Sequence, residues 1–316
     1  MMNRSKPVIP PVQKEELLAE LTEDIFVRKT NKGNNEIYDF TAHDAPALMR
    51  EVGRLREVTF RLAGGGTGKE ADIDDYDVAD VPYRQLIVWD PDEEEILGGY
   101  RYILGNNLPK NEKGEIVLAT SRLFHLSEKF IKEYLPYTIE LGRSFVQPAY
   151  QSSKAGAKSL FALDNLWDGL GTLIIHYPDM KYFFGKVTMY THYNQEARDL
   201  ILGFMKKYFR DKDNLVYPHK PVEIAFSNEQ LDEIFSGNFE DDYKVLSKKV
   251  RELGENIPPL INAYMGLSPS MRTFGTAIND RFGDVEETGI IITIKDLYMQ
   301  KVGRHVSSYI PKNKKE

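Results

Sequence analysis

The chain contains no cysteine. That absence removes disulfides, zinc–thiolate centres and thiol nucleophiles from the chemistry open to it. It also lacks an excess of positive charge: 41 Lys and Arg stand against 48 Asp and Glu, a formal net charge of −7. A general nucleic-acid binder needs a basic footprint, so nucleic acid is not expected as a partner. Long apolar runs are missing too. The longest, such as GIIITI at 289–294, are strand-sized, far short of the roughly 20 residues of a spanning helix. The opening MMNRSKPVIPPVQKEELLAE is broken by prolines and charges and has no signal-peptide core. The expectation is a soluble cytoplasmic protein, at most in peripheral contact with the inner face of a membrane. At 316 residues and 41% hydrophobic, it can bury one large core or two modest ones.

What is present begins with punctuation. Asp44 ahead of Pro46 predicts a helix start, with Leu48, Val52, Leu55 and Leu62 at helical spacing. The glycines of AGGGTGK at 63–69 end that helix. QLIVWD (85–90) and EILGGYRYIL (95–104) read as two strands joined by an acidic turn, and IVLATSRLF (116–124) as another. YTIELGRSFV (137–146) and KYFFGKVTMY (181–190) are strands on either side of a helix whose Leu160, Leu163, Trp167, Leu170 and Ile174 form an apolar stripe. NQEARDLILGFMKKYF predicts a helix capped by Asn194, and DDYKVLSKKVREL a second. IPPLINAYMGL (257–267) reads as a short helix, and MRTFGTAI (271–278) and TGIIITI (288–294) as closing strands. This order predicts a mixed α/β sheet with helices on both faces, and not a regular βαβ alternation.

The stretch Ile139–Trp167 concentrates chemistry. Glu140, Arg143 and Ser144 fall within five residues of strand, before a small-residue loop and a helix. Strand, small loop and helix N-terminus make an anion cradle, because unpaired backbone N–H groups and the helix dipole face one point. The same text also makes an ordinary turn. The Walker A and dinucleotide fingerprints are both absent, and the cue is Gln151-x-x-Lys154-x-Gly156, followed by Ala157.

ELGRSFVQPAYQ with its loop and helix resembles the core of the GNAT acyltransferase superfamily. It resembles more closely the ornithine-lipid or glycine-lipid type of N-acyltransferase, often called hemolysin-like, and distantly the acyl-homoserine-lactone synthases. MREVGRLREVTFRLAGGGTGKEADIDDYD, LIVWDPDEEEILGGYRYILG, FFGKVTMYTHYNQEARDLI and IPPLINAYMGLSPSMRTFG with NDRFGD extend the likeness in order over about 40–300. The resemblance implies a GNAT-like, mainly antiparallel sheet with a V-shaped splay between the fourth and fifth core strands. It implies one acyltransferase domain at 21–310, a helical insertion at 211–256, and flexible tails at 1–20 and 311–316. It implies direct transfer of a fatty or 3-hydroxy fatty acyl group from an acyl carrier protein or coenzyme A thioester to a small amine or amino acid such as ornithine, glycine or lysine. Aminolipid biosynthesis would be the setting, with no permanently bound cofactor and no metal.

Such a transfer needs a base for the acceptor ammonium, donors for the carbonyl oxygen, and two substrates held together. Glu140 is the base or, equally, a structural carboxylate paired with Arg143. By resemblance, Arg143 and Ser144 position the substrates, and the backbone near Val146 binds the carbonyl and pantetheine. Gln151, Lys154, Gly156 and Ala157 hold the phosphate, with Lys154 in place of the pattern's first glycine, a change that suits a carrier-protein donor. Arg56 and Phe60 flank the donor. Arg101 pairs with the acidic loop ADIDDYDVAD, whose Asp74 and Asp77 order that loop or hold the acceptor ammonium. His192, Tyr190 and Tyr193 are nearby candidates for proton donor to the thiolate. Two rival readings remain: an acetyl-coenzyme A-dependent acetyltransferase, and a non-catalytic thioester-binding module on the same fold.

Overall fold

A computed structural model describes residues 5–151 and 157–311; of residues 157–160 it gives the backbone alone. Eight strands form one sheet: β1 (Phe26–Lys29), β2 (Glu36–Phe40), β3 (Arg84–Asp90), β4 (Glu95–Leu104), β6 (Thr138–Val146), β7 (Tyr182–Met189), β10 (Val285–Thr293) and β9 (Arg272–Asn279), in that spatial order. Every pairing is antiparallel except β6 with β7. β5 (Phe124–Leu126) and β8 (Val216–Pro218) make a small second sheet. This is the mixed sheet that the element order predicts, mainly antiparallel as the resemblance implies.

Alternation along each strand sorts side chains to two faces. On β3, Leu86 and Val88 join one core with helices α4 (Ala157–His176) and α5 (Gln195–Tyr208), while Ile87 and Trp89 join a second under helix α2 (Pro46–Leu62). Helices therefore cover both faces. α5 starts where Asn194 predicts: its side chain accepts from Glu196 N and Ala197 N.

The start of α2 departs from the expectation. Asp44 turns back to cap Thr41 N at 2.9 Å. The free N–H groups of Ala47 and Leu48 are instead met by the Glu20 carboxylate, at 2.9 and 2.8 Å. Glu20 ends helix α1 (Lys14–Glu20), whose Leu17 is buried. So part of the segment expected as an N-terminal tail is an ordered cap. Strands β1 and β2 were not foreseen. IVLATSRLF is corrected as well: it is mostly turn, and only Phe124 falls within a strand. Residues 211–256 hold β8 and helices α6 (Asn228–Ile234) and α7 (Phe239–Glu252), the latter packed on α5. Helices α3 (Asp75–Val78), α8 (Pro259–Met265) and α9 (Met299–His305) complete the chain. Among the described residues no helix is long and apolar enough to cross a membrane.

The feature that places the site is the β6–β7 seam. The two strands pair only over Thr138–Leu141 and Tyr182–Gly185. β6 then continues to Val146 and β7 to Met189 without pairing to each other, which opens a V. On its other edge β6 carries one extra residue: Gly99 faces Phe145 and Arg101 faces Gly142, so Arg143 and Ser144 stand against Tyr100 alone. This is a β-bulge, and Arg143 takes the left-handed φ of 50° within it.

Candidate active site

A cleft of about 470 Å³ fills the V. Its floor and sides carry Glu140, Arg143, Ser144, Val146 and Gln151 from the β6 segment, Phe60 from α2, and Arg101 from β4. Leu163 of α4, Pro258 with the first two residues of α8, and Phe282 add apolar surface. A second, more polar chamber of about 900 Å³ lies beside it. The two share Tyr83, Arg101, Ala119, Arg143, Lys186 and Phe282 as a common wall. Two chambers meeting at one wall suit a reaction that joins a long apolar substrate to a small polar one.

The wall is fixed by an alternating chain of buried charges. Arg56 meets Asp77 at 3.2 Å, Asp77 meets Arg101 at 3.2 Å, and Arg101 meets Asp74 at 2.7 Å. Asp74 meets Arg143 at 3.7 Å, and Arg143 Nε meets Asp72 at 2.8 Å. Burial alone pushes the Asp77 carboxyl up, but Arg56 and Arg101 outweigh it and hold that group well below the usual range. Burial also works against the Arg101 charge, and Asp77 with Asp74 more than restores it. Asp74 in addition caps α3 through a capping box with Asp77. The Arg143 guanidinium lies 4.2 Å from the Phe282 ring centroid, a cation–π contact.

Glu140 is on the cleft wall, and both of its carboxylate oxygens are engaged. Oε1 accepts from Thr120 N at 2.8 Å, and Oε2 accepts from the Tyr83 hydroxyl. The same Tyr83 oxygen accepts from Ala119 N at 2.9 Å. Burial, then the Glu140 charge, push the Tyr83 phenol well up, so it stays a donor. Glu140 thus ties the 119–120 turn to the sheet.

The other expected residues separate into groups. Phe60 lines the cleft and stacks edge-on against Phe282, at 5.1 Å between centroids. The Gln151 amide donates to the Val146 carbonyl at 2.6 Å, folding the loop back onto β6. Arg56 and Asp77 stand outside both chambers, in the charge chain, whereas Asp74 lines the polar chamber. Lys154 and Gly156 lie outside the described residues. Ala157 opens α4, and its side chain lies outside them too. Tyr190 lines the cleft with exposed His192 stacked on it, and Tyr193 is committed to the Asn256 carbonyl at 2.9 Å. The Gly-rich loop at 64–68 is held by Glu57, which accepts from Thr67 N at 3.0 Å and Gly68 N at 2.8 Å.

Sequence reasoning missed Lys186 and Glu287. Lys186 on β7 lines both chambers, and Glu287 on β10 lines the cleft. The signal was available: each shares strand parity with buried residues, Lys186 with Phe184 and Glu287 with Val285 and Ile291. A charge at a core-facing position of a strand asks for an explanation.

A family profile described as an acetyltransferase (GNAT) domain matches residues 55–160. The chain is 58% identical over 304 residues to a glycine N(alpha)-acyltransferase of Phocaeicola vulgatus, covering 96% of this chain and 93% of that protein. It is 59% identical over 304 residues to a glycine N(alpha)-acyltransferase of Bacteroides thetaiotaomicron, covering 96% and 90%. No solved structure gives a significant match.

Proposed function

The chain belongs to the GNAT N-acyltransferases, and on that premise we propose that it moves a fatty acyl group from a carrier-protein thioester to the amine of glycine. One observation carries the reading: the apolar cleft in the β6–β7 splay shares a charged wall with a polar chamber. The acyl chain and pantetheine arm occupy the cleft, and the amino acid occupies the chamber. No covalent intermediate is needed, because the neutral amine attacks the thioester carbonyl directly.

Charge argues for the acceptor. Lys69, Arg122 and Arg281 line the polar chamber and, among the described residues, have no ion pair within it. Asp74 there is already paired with Arg101 and Arg143. Asp75 and Asp280 add negative charge at the exposed rim, but with Arg101, Arg143 and Lys186 counted the cations are in excess. Such a chamber favours an acceptor carboxylate and disfavours the second ammonium of ornithine or lysine. The relatives' names point to glycine as well.

Within this reading Arg143 and Ser144 position the thioester, and Phe60 and the Val146 segment flank it. Burial, then the Glu287 charge, push the Tyr190 phenol up. It stays protonated, it lines the cleft, and in this reading it supplies a proton to the departing thiolate. Lys154 in place of a cradle glycine favours a carrier protein, whose acidic surface it complements, over coenzyme A. Cytoplasmic placement, aminolipid biosynthesis and brief contact with a membrane to deliver the product complete the proposal.

The test is product mass. The protein is incubated with acyl carrier protein thioesters or coenzyme A thioesters of one chain length and a panel of amino acids. N-acylglycine, made faster from the carrier protein, is expected. Preference for ornithine or lysine overturns the acceptor assignment, and equal use of coenzyme A overturns the donor assignment.

A further inference from the structure

The reaction needs a group to take a proton from the acceptor, because an aliphatic amino acid is almost wholly ammonium at neutral pH. Glu140 has both oxygens engaged by Tyr83 and Thr120. Asp72, Asp74 and Asp77 are engaged by three arginines. Among the described residues one cleft carboxylate differs. Glu287 is 4% exposed, and its buried Oε2 accepts no hydrogen bond. The Lys186 ammonium lies 3.4 Å from that oxygen. Glu287 pairs across the sheet with Thr188, and Lys186 with Gly289, so the three side chains stand on one face.

We propose that Glu287 is the base that takes the acceptor's proton, and that Lys186, which lines both chambers, turns the carboxylate toward the incoming amine. The proposal rests on the acyl-transfer reading of this cleft and names the residue that reading leaves unassigned. The charged and titratable groups sharing the cleft with Glu287 are Lys186 and Tyr190 on the β7 side, Glu140 and Arg143 on β6, Tyr150 after β6, Arg101 on β4, and Tyr83 ahead of β3. Of these, Lys186 is in contact with it.

The step balances as follows. The ammonium gives one proton to Glu287, and the neutral nitrogen forms a bond to the thioester carbonyl carbon. The carbon–sulfur bond breaks, and the thiolate takes a proton from Tyr190. The nitrogen's second proton restores Tyr190, and Glu287 releases its proton to solvent. The products are an amide, a thiol and one proton.

The test compares glycine with hydroxylamine, an amine that is mostly unprotonated at neutral pH and needs no base. In Glu287→Gln, glycine turnover falls about 100-fold or more. The thioester KM holds, and hydroxamate formation above the uncatalysed background stays within a few-fold of wild type. Full glycine turnover in the variant overturns the proposal. So does an equal loss with both amines, which marks a structural role. Should Glu287→Gln fail to fold, Glu287→Asp carries the test: a carboxylate drawn back by one methylene lowers glycine turnover about tenfold and spares hydroxylamine, whereas parallel losses overturn the assignment. Wild-type protein that acylates no amine at all overturns the acyltransferase reading itself, a result distinct from either.

Discussion

Two sets of buried charge border the same cleft, and they are built differently. The chain Arg56–Asp77–Arg101–Asp74–Arg143–Asp72 alternates in sign, and each interior member touches two opposite charges. The Lys186–Glu287 set is a single pair, with an oxygen that accepts no hydrogen bond. The chain commits every carboxylate to at least one guanidinium and holds architecture, and only its Arg101 and Arg143 reach the cleft. The pair stands on the cleft wall with a single cation as partner to its carboxylate, and that difference separates scaffold from chemistry more sharply than burial does.

The contrast sets the order of the expected effects. Asp77→Asn breaks the chain between Arg56 and Arg101 and leaves two guanidiniums short of a partner. It costs about 3–5 kcal/mol, read from denaturant unfolding. Glu287→Gln, beside an open cleft, costs about 1–2 kcal/mol in the same experiment; equal costs would erase the distinction. Gly185→Ala tests the seam that opens the cleft. A Cβ there would sit 2.5 Å from the Leu141 carbonyl oxygen, so the last paired residues must part. A cost of about 1–3 kcal/mol is expected, with faster amide exchange at the seam. Glu140→Gln weakens the tie to Tyr83 and Thr120 for about 1–2 kcal/mol, and exchange should rise at 118–120 while the Asp77 region is unchanged.

Acid gives the smallest and most graded effect. Asp77 titrates lower folded than unfolded, so its contribution is present above the unfolded value of about 4 and is lost as pH falls below it. Asp242, remote from the cleft, is the comparison. Burial pushes it up, but hydrogen bonds from Tyr208, Gly237 and Ser236 hold it down at about 2. Its share of stability therefore disappears between about pH 4 and pH 2. Asp242→Asn should flatten that part of the melting curve without touching the part due to Asp77.

Local signals made much of the fold legible. Apolar runs in Gln85–Asp90 and Glu95–Leu104, joined by an acidic turn, gave the β3–β4 hairpin, and Asn194 gave the start of α5. The Glu140–Gln151 motif led to the cleft because its residues are contiguous on the element that forms the wall. What was hidden depends on distance along the chain. Glu20 caps a helix that begins 26 residues later, at Pro46. Lys186 and Glu287 meet only because β7 and β10 are neighbours in the sheet. Arg56 carries the right motif and still turns away from the cleft, since Asp77 and Gln85 claim its guanidinium.

The common wall between the chambers has a consequence for the end of the cycle. If tail and head are bound on opposite sides of Arg101, Arg143 and Lys186, the finished molecule lies across that partition like a bolt through a plate. It must be withdrawn lengthwise once the thiol has gone, so escape of the acylated product, and not bond formation, would set the pace of turnover.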